Sequence, residues 1–221
     1  MPNYKLVIFD WDGTLMDSVG KIVLSMQAAA RVLNLTPATF EQGKSIIGLS
    51  LSKGIEQLFP QASIELQNKI EKEYKHQYLE VNNTPTPLFD NALELLTSLK
   101  ESNILLAVAT GKARPGLERV LNMTETEHLF NATRSASDCR SKPDPEMITS
   151  LLTELSIDAC DAVMIGDTSF DMEMAKHANV DRIGVSFGAH TIDVLNQFEP
   201  KAIVHSLDEL EKLLIPKNST I

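Results

Sequence analysis

The sequence predicts an α/β fold in which a doubly wound parallel sheet carries helices on both faces and an all-helical domain is inserted after the first strand. Two observations lead to this prediction. Short apolar runs rich in strand-forming residues alternate with segments whose apolar residues recur at helical spacing. Such alternation is typical of right-handed crossovers between parallel strands. Between the first and second runs, by contrast, helical periodicity replaces strand-like patterning.

Five apolar runs are the candidate strands. They are residues 6–9, 105–109, 162–165, 182–187 and the shorter run 202–204. Runs of this kind, with no polar alternation, are typical of strands buried on both faces. Helices of the main domain are predicted at residues 91–100, 145–155 and 169–178. The resulting sheet is Rossmann-like, and ligands of such sheets bind beyond the carboxyl ends of the strands.

The inserted segment has its own helical pattern. Helices are predicted at residues 19–33, 51–58 and 64–79. Ser18 precedes the first of them and is expected to act as its N-cap. The chain returns to the main domain through Thr84-Pro85-Thr86-Pro87, which should form a stiff connection. The predicted domains are a core formed by residues 1–16 and 85–221 and a helical cap formed by residues 17–84.

Composition and charge narrow the possible partners. The 221 residues are 43% apolar and 23% charged, as in soluble globular proteins, and the net charge is -10. A nucleic-acid partner is not expected, because it would require a concentration of basic residues on one face. The four apolar residues before Asp10 are too few for a signal peptide or membrane span. Cys139 and Cys160 lie far apart in the sequence and form no CxxC motif, which is typical of reduced thiols in the cytosol. A cytoplasmic protein with no membrane contact is therefore expected.

Reactive side chains stand after several predicted strands. Asp10 and Asp12 follow the first, Thr110 follows the second and Asp167 follows the run that ends at residue 165. Lys142 is expected just beyond a further, third strand. The carboxyl ends of parallel strands share one rim, so these residues should lie close together. Together they supply a nucleophile, a second acid, a hydroxyl donor, a cation and a metal ligand, which phosphoryl transfer requires.

Each motif alone is weak, because Asp-Gly and Lys-Pro-Asp-Pro are also typical of exposed turns. Taken jointly, their order and spacing resemble the haloacid dehalogenase superfamily. The matching segments are Asp10-Trp11-Asp12-Gly13-Thr14, Ala109-Thr110-Gly111, Lys142-Pro143-Asp144-Pro145 and Gly166-Asp167-Thr168-Ser169-Phe170-Asp171. The resemblance extends over essentially the whole chain and is greatest to phosphoglycolate phosphatases and their relatives with a helical cap.

This resemblance implies a magnesium-dependent phosphatase that forms a covalent aspartyl-phosphate. Asp10 is the expected nucleophile, and Asp12 the expected general acid and then general base. Mg²⁺ is expected to bind the side chains of Asp10 and Asp167 and the backbone carbonyl of Asp12. Lys142 should neutralise the nucleophile and the phosphoryl charge. Asp171 should orient a water molecule or Lys142 from outside the metal's ligand set.

Other residues are expected to contact the substrate, a small phosphorylated metabolite. Thr110 and Gly111 should donate hydrogen bonds to the phosphate, and Gly13 should allow the chain to turn around it. Lys112 is expected to bind the substrate, although an exposed loop charge fits the sequence equally well; the same holds for Arg114. The cap segment 48–53 is the expected specificity loop.

Several alternatives remain open at this point. Phosphoglycolate is the favoured substrate, followed by sugar phosphates, nucleotides or pyrophosphate, so a nucleotidase or pyrophosphatase of the same superfamily is possible. Sugar phosphomutases of the β-phosphoglucomutase type also keep both acids, but commonly carry a His in the first cap helix, where this chain reads Val19-Gly20-Lys21-Ile22-Val23. A non-catalytic binding module is the alternative from a different class. The oligomeric state is expected to be monomer or homodimer.

Overall fold

Six parallel strands form one sheet within residues 4–215, the part of the chain that the computed structural model describes. The strands are β1 (Leu6–Phe9), β2 (Leu105–Ala109), β3 (Ala132–Arg134), β4 (Ala162–Gly166), β5 (Asp181–Val185) and β6 (Ala202–Val204). Their order is β3-β2-β1-β4-β5-β6. The first strand is central, with Leu6 opposite Leu105 on one side and Ala162 on the other. All the strands run in one direction, so their carboxyl ends meet at the same rim.

Helices cover both faces of this sheet. One face packs against α5 (Ala92–Glu101), α6 (Arg114–Met123) and α10 (Leu207–Leu214), and the other against α7 (Glu146–Leu155) and α8 (Ser169–His177). Because side chains alternate along a strand, Val7 and Phe9 enter the first core while Leu6 and Ile8 enter the second. All four are fully buried. The predicted fold class is therefore confirmed.

The inserted segment is helical in the described residues. It contains α1 (Val19–Val32), α2 (Phe40–Lys44), α3 (Leu51–Leu58) and α4 (Ile64–His76), which continues into a π-helical turn at Gln77–Val81. Met26, Ile55 and Ile70 form its own small core. Its two connections to the main domain lie side by side, since Met16 bridges Leu88. The assignment of residues 17–84 to a separate cap domain remains a prediction.

The structure also contains elements whose residues the sequence did not identify, among them the third strand expected before Lys142. Strand β3 has only three residues, two of them partly exposed, so it lacks a continuous apolar run. The helices α2, α6, α9 (Ile192–Asn196) and α10 were not predicted. Ser18 does precede α1, but the prediction that its side chain caps this helix is wrong: its hydroxyl donates to the Asp12 carboxylate instead. Across residues 4–215, no helix combines the length and the apolarity needed to cross a bilayer.

We expect the packing of α5 against the sheet to stabilise the core domain strongly. Leu96 is fully buried there, whereas Leu93 on the same helix is 44% exposed. Leu96→Ala should lower the free energy of unfolding by about 2–5 kcal/mol through lost burial and a residual cavity. The matched control Leu93→Ala should change it by no more than about 0.5 kcal/mol. Equal effects in urea unfolding would contradict this packing.

Candidate active site

Three of the predicted site residues lie at adjacent strand ends. Asp10 follows β1, Thr110 follows β2 and Asp167 follows β4. The backbone N–H of Asp10 donates to Ile165 O at 2.9 Å, which extends the pairing of β1 and β4 to the rim. The three side chains are almost completely buried. The structure therefore brings them together as the parallel topology predicts.

Lys142 joins this group from a loop. Its Nζ lies 2.6 Å from Asp10 Oδ1 and 2.6 Å from Asp171 Oδ1, and its side chain is fully buried. The expectation that it stands just beyond a third strand is wrong, because β3 ends at Arg134 and a loop intervenes. Burial alone would lower the pKa of Lys142, but the carboxylates of Asp10 and Asp171 outweigh it and raise that pKa above its usual value. The side chain is therefore an ammonium ion.

Three carboxylates meet around this ammonium. Oxygen atoms of Asp10, Asp167 and Asp171 lie within 4.8 Å of one another. Burial raises the pKa of Asp10 and of Asp167, and the neighbouring carboxylates raise both further, while Lys142 lowers that of Asp10. Three carboxylates and one ammonium leave a formal charge of minus two in a buried site. A divalent cation would balance that charge.

The hydrogen bonds of these carboxylates indicate which of them would hold a metal ion. Asp10 Oδ2 is buried and has no hydrogen-bond partner among the described residues. Asp167 is held in place by Thr14 Oγ1, which donates to Oδ1 at 2.8 Å, and by the backbone N–H of Ala189, which donates to Oδ2 at 2.7 Å. These oxygen donors suit the hard cation Mg²⁺. Asp10 and Asp167 therefore fit the predicted ligand roles.

Asp171 is engaged differently. Its Oδ1 accepts from Lys142, and its Oδ2 accepts from the hydroxyl of Thr168 at 2.7 Å and from the backbone N–H of Thr168 at 3.0 Å. The Thr168–Asp171 pair is the capping box at the start of α8. Asp171 thus holds Lys142 from the first turn of α8, and the capping box fixes Asp171 in that turn. This geometry fits the predicted orienting role.

Glycines let the backbone approach the carboxylates closely. A Cβ added at Gly188 would overlap the side chain of Asp167, and one at Gly166 would overlap that of Asp171. Gly13, predicted to lie against the substrate, instead packs against Asp167 with a φ of +82°, a conformation that favours glycine. The substrate contact of Gly13 stays a prediction. Its direct effect in this structure is to position Asp167.

The carboxylate of Asp12 pairs with Lys112 and Ser18 and is not one of the three clustered carboxylates. Lys112 Nζ lies 2.8 Å from Asp12 Oδ1, and the Ser18 hydroxyl donates to the same oxygen. Burial by itself would lower the pKa of Lys112, but Asp12 and Tyr78 raise it above its usual value, so the ion pair is retained. Lys112 is therefore not an exposed loop charge, and its predicted contact with substrate remains a prediction. The structure shows it holding Asp12.

A cavity of about 350 Å³ separates the rim from the helical segment. Asp10, Asp12, Thr110 and Gly111 line one end of it. The opposite wall is largely apolar and comes from the segment 17–84; it includes Ile22, Met26, Ile46, Leu49, Tyr74 and Tyr78. The carbonyl groups of Gly48 and Leu49 pack so closely on Gly111 that a Cβ would not fit there. The expected specificity loop therefore forms part of this wall.

Some residues near the cavity have no recognisable signal in the sequence. Tyr78 and Arg119 line it. His190 lies instead beside Asp167: its backbone N–H donates to Asp167 O at 3.2 Å, and its Nδ1 accepts from the backbone N–H of Ser169 at 3.0 Å. Tyr78 lies within the predicted helix at residues 64–79, although its π-helical turn was not predicted. Arg119 belongs to α6, which was not predicted. Arg114, considered as a substrate-facing residue, instead pairs with Asp138.

The sheet, its buried Asp and Lys side chains and the covering helices define an α/β protein with a carboxylate-rich site at the rim of a parallel sheet. The family of haloacid dehalogenase-like hydrolases matches residues 7–185. The chain belongs to this family, which confirms the resemblance seen in its four motifs.

Relatives with assigned names agree with this placement. The chain is 34% identical to "Probable phosphatase IndB" of Dickeya dadantii, over 93% of this chain and 91% of the relative. It is 28% identical to a phosphoglycolate phosphatase of Colwellia psychrerythraea, over 93% and 95% of the two chains. The crystal structure of a "predicted phosphatase" from Clostridium acetobutylicum superposes with a TM-score of 0.85 at 26% identity, over 96% of this chain and 99% of that chain.

Gly188 packs so closely on Asp167 that a larger residue there should disturb the carboxylate. Gly188→Ala should push Asp167 out of place, destabilise the protein by about 1–3 kcal/mol and weaken binding of Mg²⁺, measured by calorimetry. Gly116→Ala is the matched control, because a Cβ at this helical position meets nothing within 4 Å. The control should gain about 0.5–1 kcal/mol of stability. Unchanged Mg²⁺ affinity in Gly188→Ala would show that Asp167 is not held by this contact.

Proposed function

We propose that this protein, a phosphatase of its family, hydrolyses a small phosphomonoester through an aspartyl-phosphate formed on Asp10. The observation that carries the proposal is the position of Asp10. One of its oxygens is fixed by Lys142, and the other is buried without a partner among residues 4–215, at the end of a cavity. Lys142 thus fixes the orientation of a carboxylate that lines the cavity, as in-line attack on phosphorus requires.

In the first step, Asp10 forms a bond to phosphorus and the ester P–O bond breaks. Lys142 offsets the negative charge of Asp10 and of the phosphoryl group as they approach. Thr110 and Gly111 lie at the same end of the cavity. The Thr110 oxygen accepts from the backbone N–H of Lys112 at 3.3 Å, which leaves the hydroxyl hydrogen to bind a phosphate oxygen.

Asp12 is placed to transfer protons in both steps. It lines the cavity, and Lys112 and Ser18 fix the orientation of its carboxyl group. In its acid form it gives a proton to the departing alkoxide oxygen. In the second step the resulting carboxylate takes a proton from the water that attacks phosphorus, and the bond to Asp10 breaks. Inorganic phosphate leaves and Asp10 is restored.

Mg²⁺ is the proposed cofactor. Asp10, Asp167 and the backbone carbonyl of Asp12 would hold it, and when bound it would offset charge on the phosphate oxygens. The buried formal charge of minus two supports a divalent cation.

The proposed substrate is a small phosphorylated metabolite, and phosphoglycolate is the reference compound because relatives bear that name. No observation in residues 4–215 favours the phosphomutase, nucleotidase, pyrophosphatase or binding-module alternatives over hydrolysis. The cytoplasmic location and the monomeric or homodimeric state stay predictions.

The first test is turnover of a generic aryl phosphate. With Mg²⁺ the protein should release the phenol, and Asp10→Asn should reduce this to background because the nucleophile is lost. The matched control Asp17→Asn removes an exposed carboxylate nearby and should retain activity. Chelation of Mg²⁺ should stop the reaction reversibly. Unaltered turnover in Asp10→Asn would refute the proposed nucleophile.

The second test concerns Asp12. Asp12→Asn should slow formation and hydrolysis of the phosphoenzyme, each by about 10²–10⁴-fold, because both need proton transfer. Mg²⁺ affinity should stay nearly constant, since the backbone carbonyl is retained. Rapid quenching and calorimetry measure the two effects. A loss of Mg²⁺ affinity as large as the loss of rate would place the side chain, rather than the carbonyl, on the metal.

A further inference from the structure

A basic cluster surrounds Tyr78 in the cavity. Lys21 Nζ lies 4.9 Å from the centre of the Tyr78 ring, Lys112 Nζ lies 5.6 Å from it, and the guanidinium carbon of Arg119 lies 5.6 Å from it. Lys112 is neutralised by its ion pair with Asp12. Neither Lys21 nor Arg119 forms an ion pair with a carboxylate of residues 4–215. These two half-buried cations therefore lack an anionic partner within the described part of the chain.

Tyr78 does not supply the missing negative charge. Burial raises the pKa of its phenol, so the ring is neutral and supplies no negative charge to these cations. Burial, together with Arg119 and Lys112, also lowers the pKa of Lys21. Like charges crowded in this way are unfavourable unless an anion joins them. In a chain with a net charge of -10, such crowding marks a site for a bound anion.

Apolar residues line the cavity that this cluster shares with Asp10. Arg119 lines the same cavity as Asp10, and the cavity wall includes Ile22, Met26 and Leu49. Its volume of about 350 Å³ falls within the range of ~300–1,000 Å³ that encloses ligands much larger than a two-carbon acid. Phosphoglycolate has one carbon between its ester oxygen and its carboxylate. It would leave most of the apolar wall uncovered.

We infer that the substrate is a phosphomonoester whose carboxylate is separated from the ester oxygen by an apolar chain or ring of several carbons. This inference rests on the proposed phosphatase function. The phosphate lies at Asp10, the apolar body covers the wall formed by residues 17–84, and the carboxylate binds Arg119. The planar guanidinium group suits a carboxylate, because it donates two parallel hydrogen bonds.

Four esters separate the contributions of chain length and carboxylate. They are phosphoglycolate, 4-phosphooxybutanoate, 6-phosphooxyhexanoate and hexyl phosphate, which lacks the carboxylate. We expect kcat/KM for 6-phosphooxyhexanoate to exceed that for phosphoglycolate and that for hexyl phosphate by at least about tenfold each. Phosphoglycolate as the best of the four would overturn the inference and leave the phosphatase proposal standing.

Variants of Arg119 test the proposed carboxylate contact. Arg119→Met should lower kcat/KM for 6-phosphooxyhexanoate by about tenfold or more, mainly through KM, and change that for hexyl phosphate by less than about twofold. Arg119→Lys should restore part of the loss. The control Lys72→Met removes an exposed cation from α4 and should change neither value. Equal losses for both esters in Arg119→Met would contradict carboxylate binding.

Binding of a non-hydrolysable analogue separates this inference from the phosphatase proposal. With Mg²⁺ present, 6-phosphonohexanoate should bind more tightly than hexylphosphonate, and Arg119→Met should remove the difference. If no ester is hydrolysed but this difference is seen, the phosphatase proposal fails and the ligand assignment stands. If the two phosphonates bind equally to the unmodified protein, the ligand assignment is wrong.

Discussion

The buried ammonium of Lys142 is the contact on which the active site depends. Removing a charged lysine from water is unfavourable by several kcal/mol unless its hydrogen bonds are replaced. Two carboxylate oxygens at 2.6 Å replace them, and the same contacts allow Asp10 and Asp171 to lie close together. The contact joins the end of β1, the loop after β3 and the first turn of α8. Loss of any one partner would leave an unpaired charge in the core of the site.

Charge is distributed unevenly in this molecule, with consequences for anion binding. The net charge of -10 would repel a phosphorylated substrate at long range. Cations are nevertheless concentrated around the cavity: Lys142 at the carboxylate cluster, and Lys112, Lys21 and Arg119 near Tyr78. Because these four cations are buried or half-buried, interactions with them are screened less than those with surface acids. Local charge, rather than the overall charge, therefore controls binding.

The convergence of Asp10, Thr110 and Asp167 was predictable, because apolar runs identify buried parallel strands and parallel strands share a rim. The position of Lys142 relative to β3 was not predictable from the sequence. A three-residue edge strand with partly exposed residues has too few apolar residues to be recognised. Ser18 has the sequence signature of a helix cap, yet tertiary contact with Asp12 determines where its hydroxyl points. Tyr78 and Arg119 meet only through packing between a π-helical turn and α6. Sequence periodicity does not reveal such contacts.

The π-helical turn links substrate selection to the architecture of the inserted helices. It lies directly after α4, and its wider turn places Tyr78 in the cavity 5.8 Å from the ring of Tyr74. Such turns cost hydrogen-bond geometry and are frequent at functional sites. Tyr78 in turn packs against cations from both α1 and α6, so one ring contacts the inserted helices and the core together. Changes in the inserted helices would alter the shape of the cavity without moving Asp10, Lys142 or Asp167. The inserted helices thus shape the apolar wall of the cavity, whereas Asp10, Lys142 and Asp167 belong to the sheet domain.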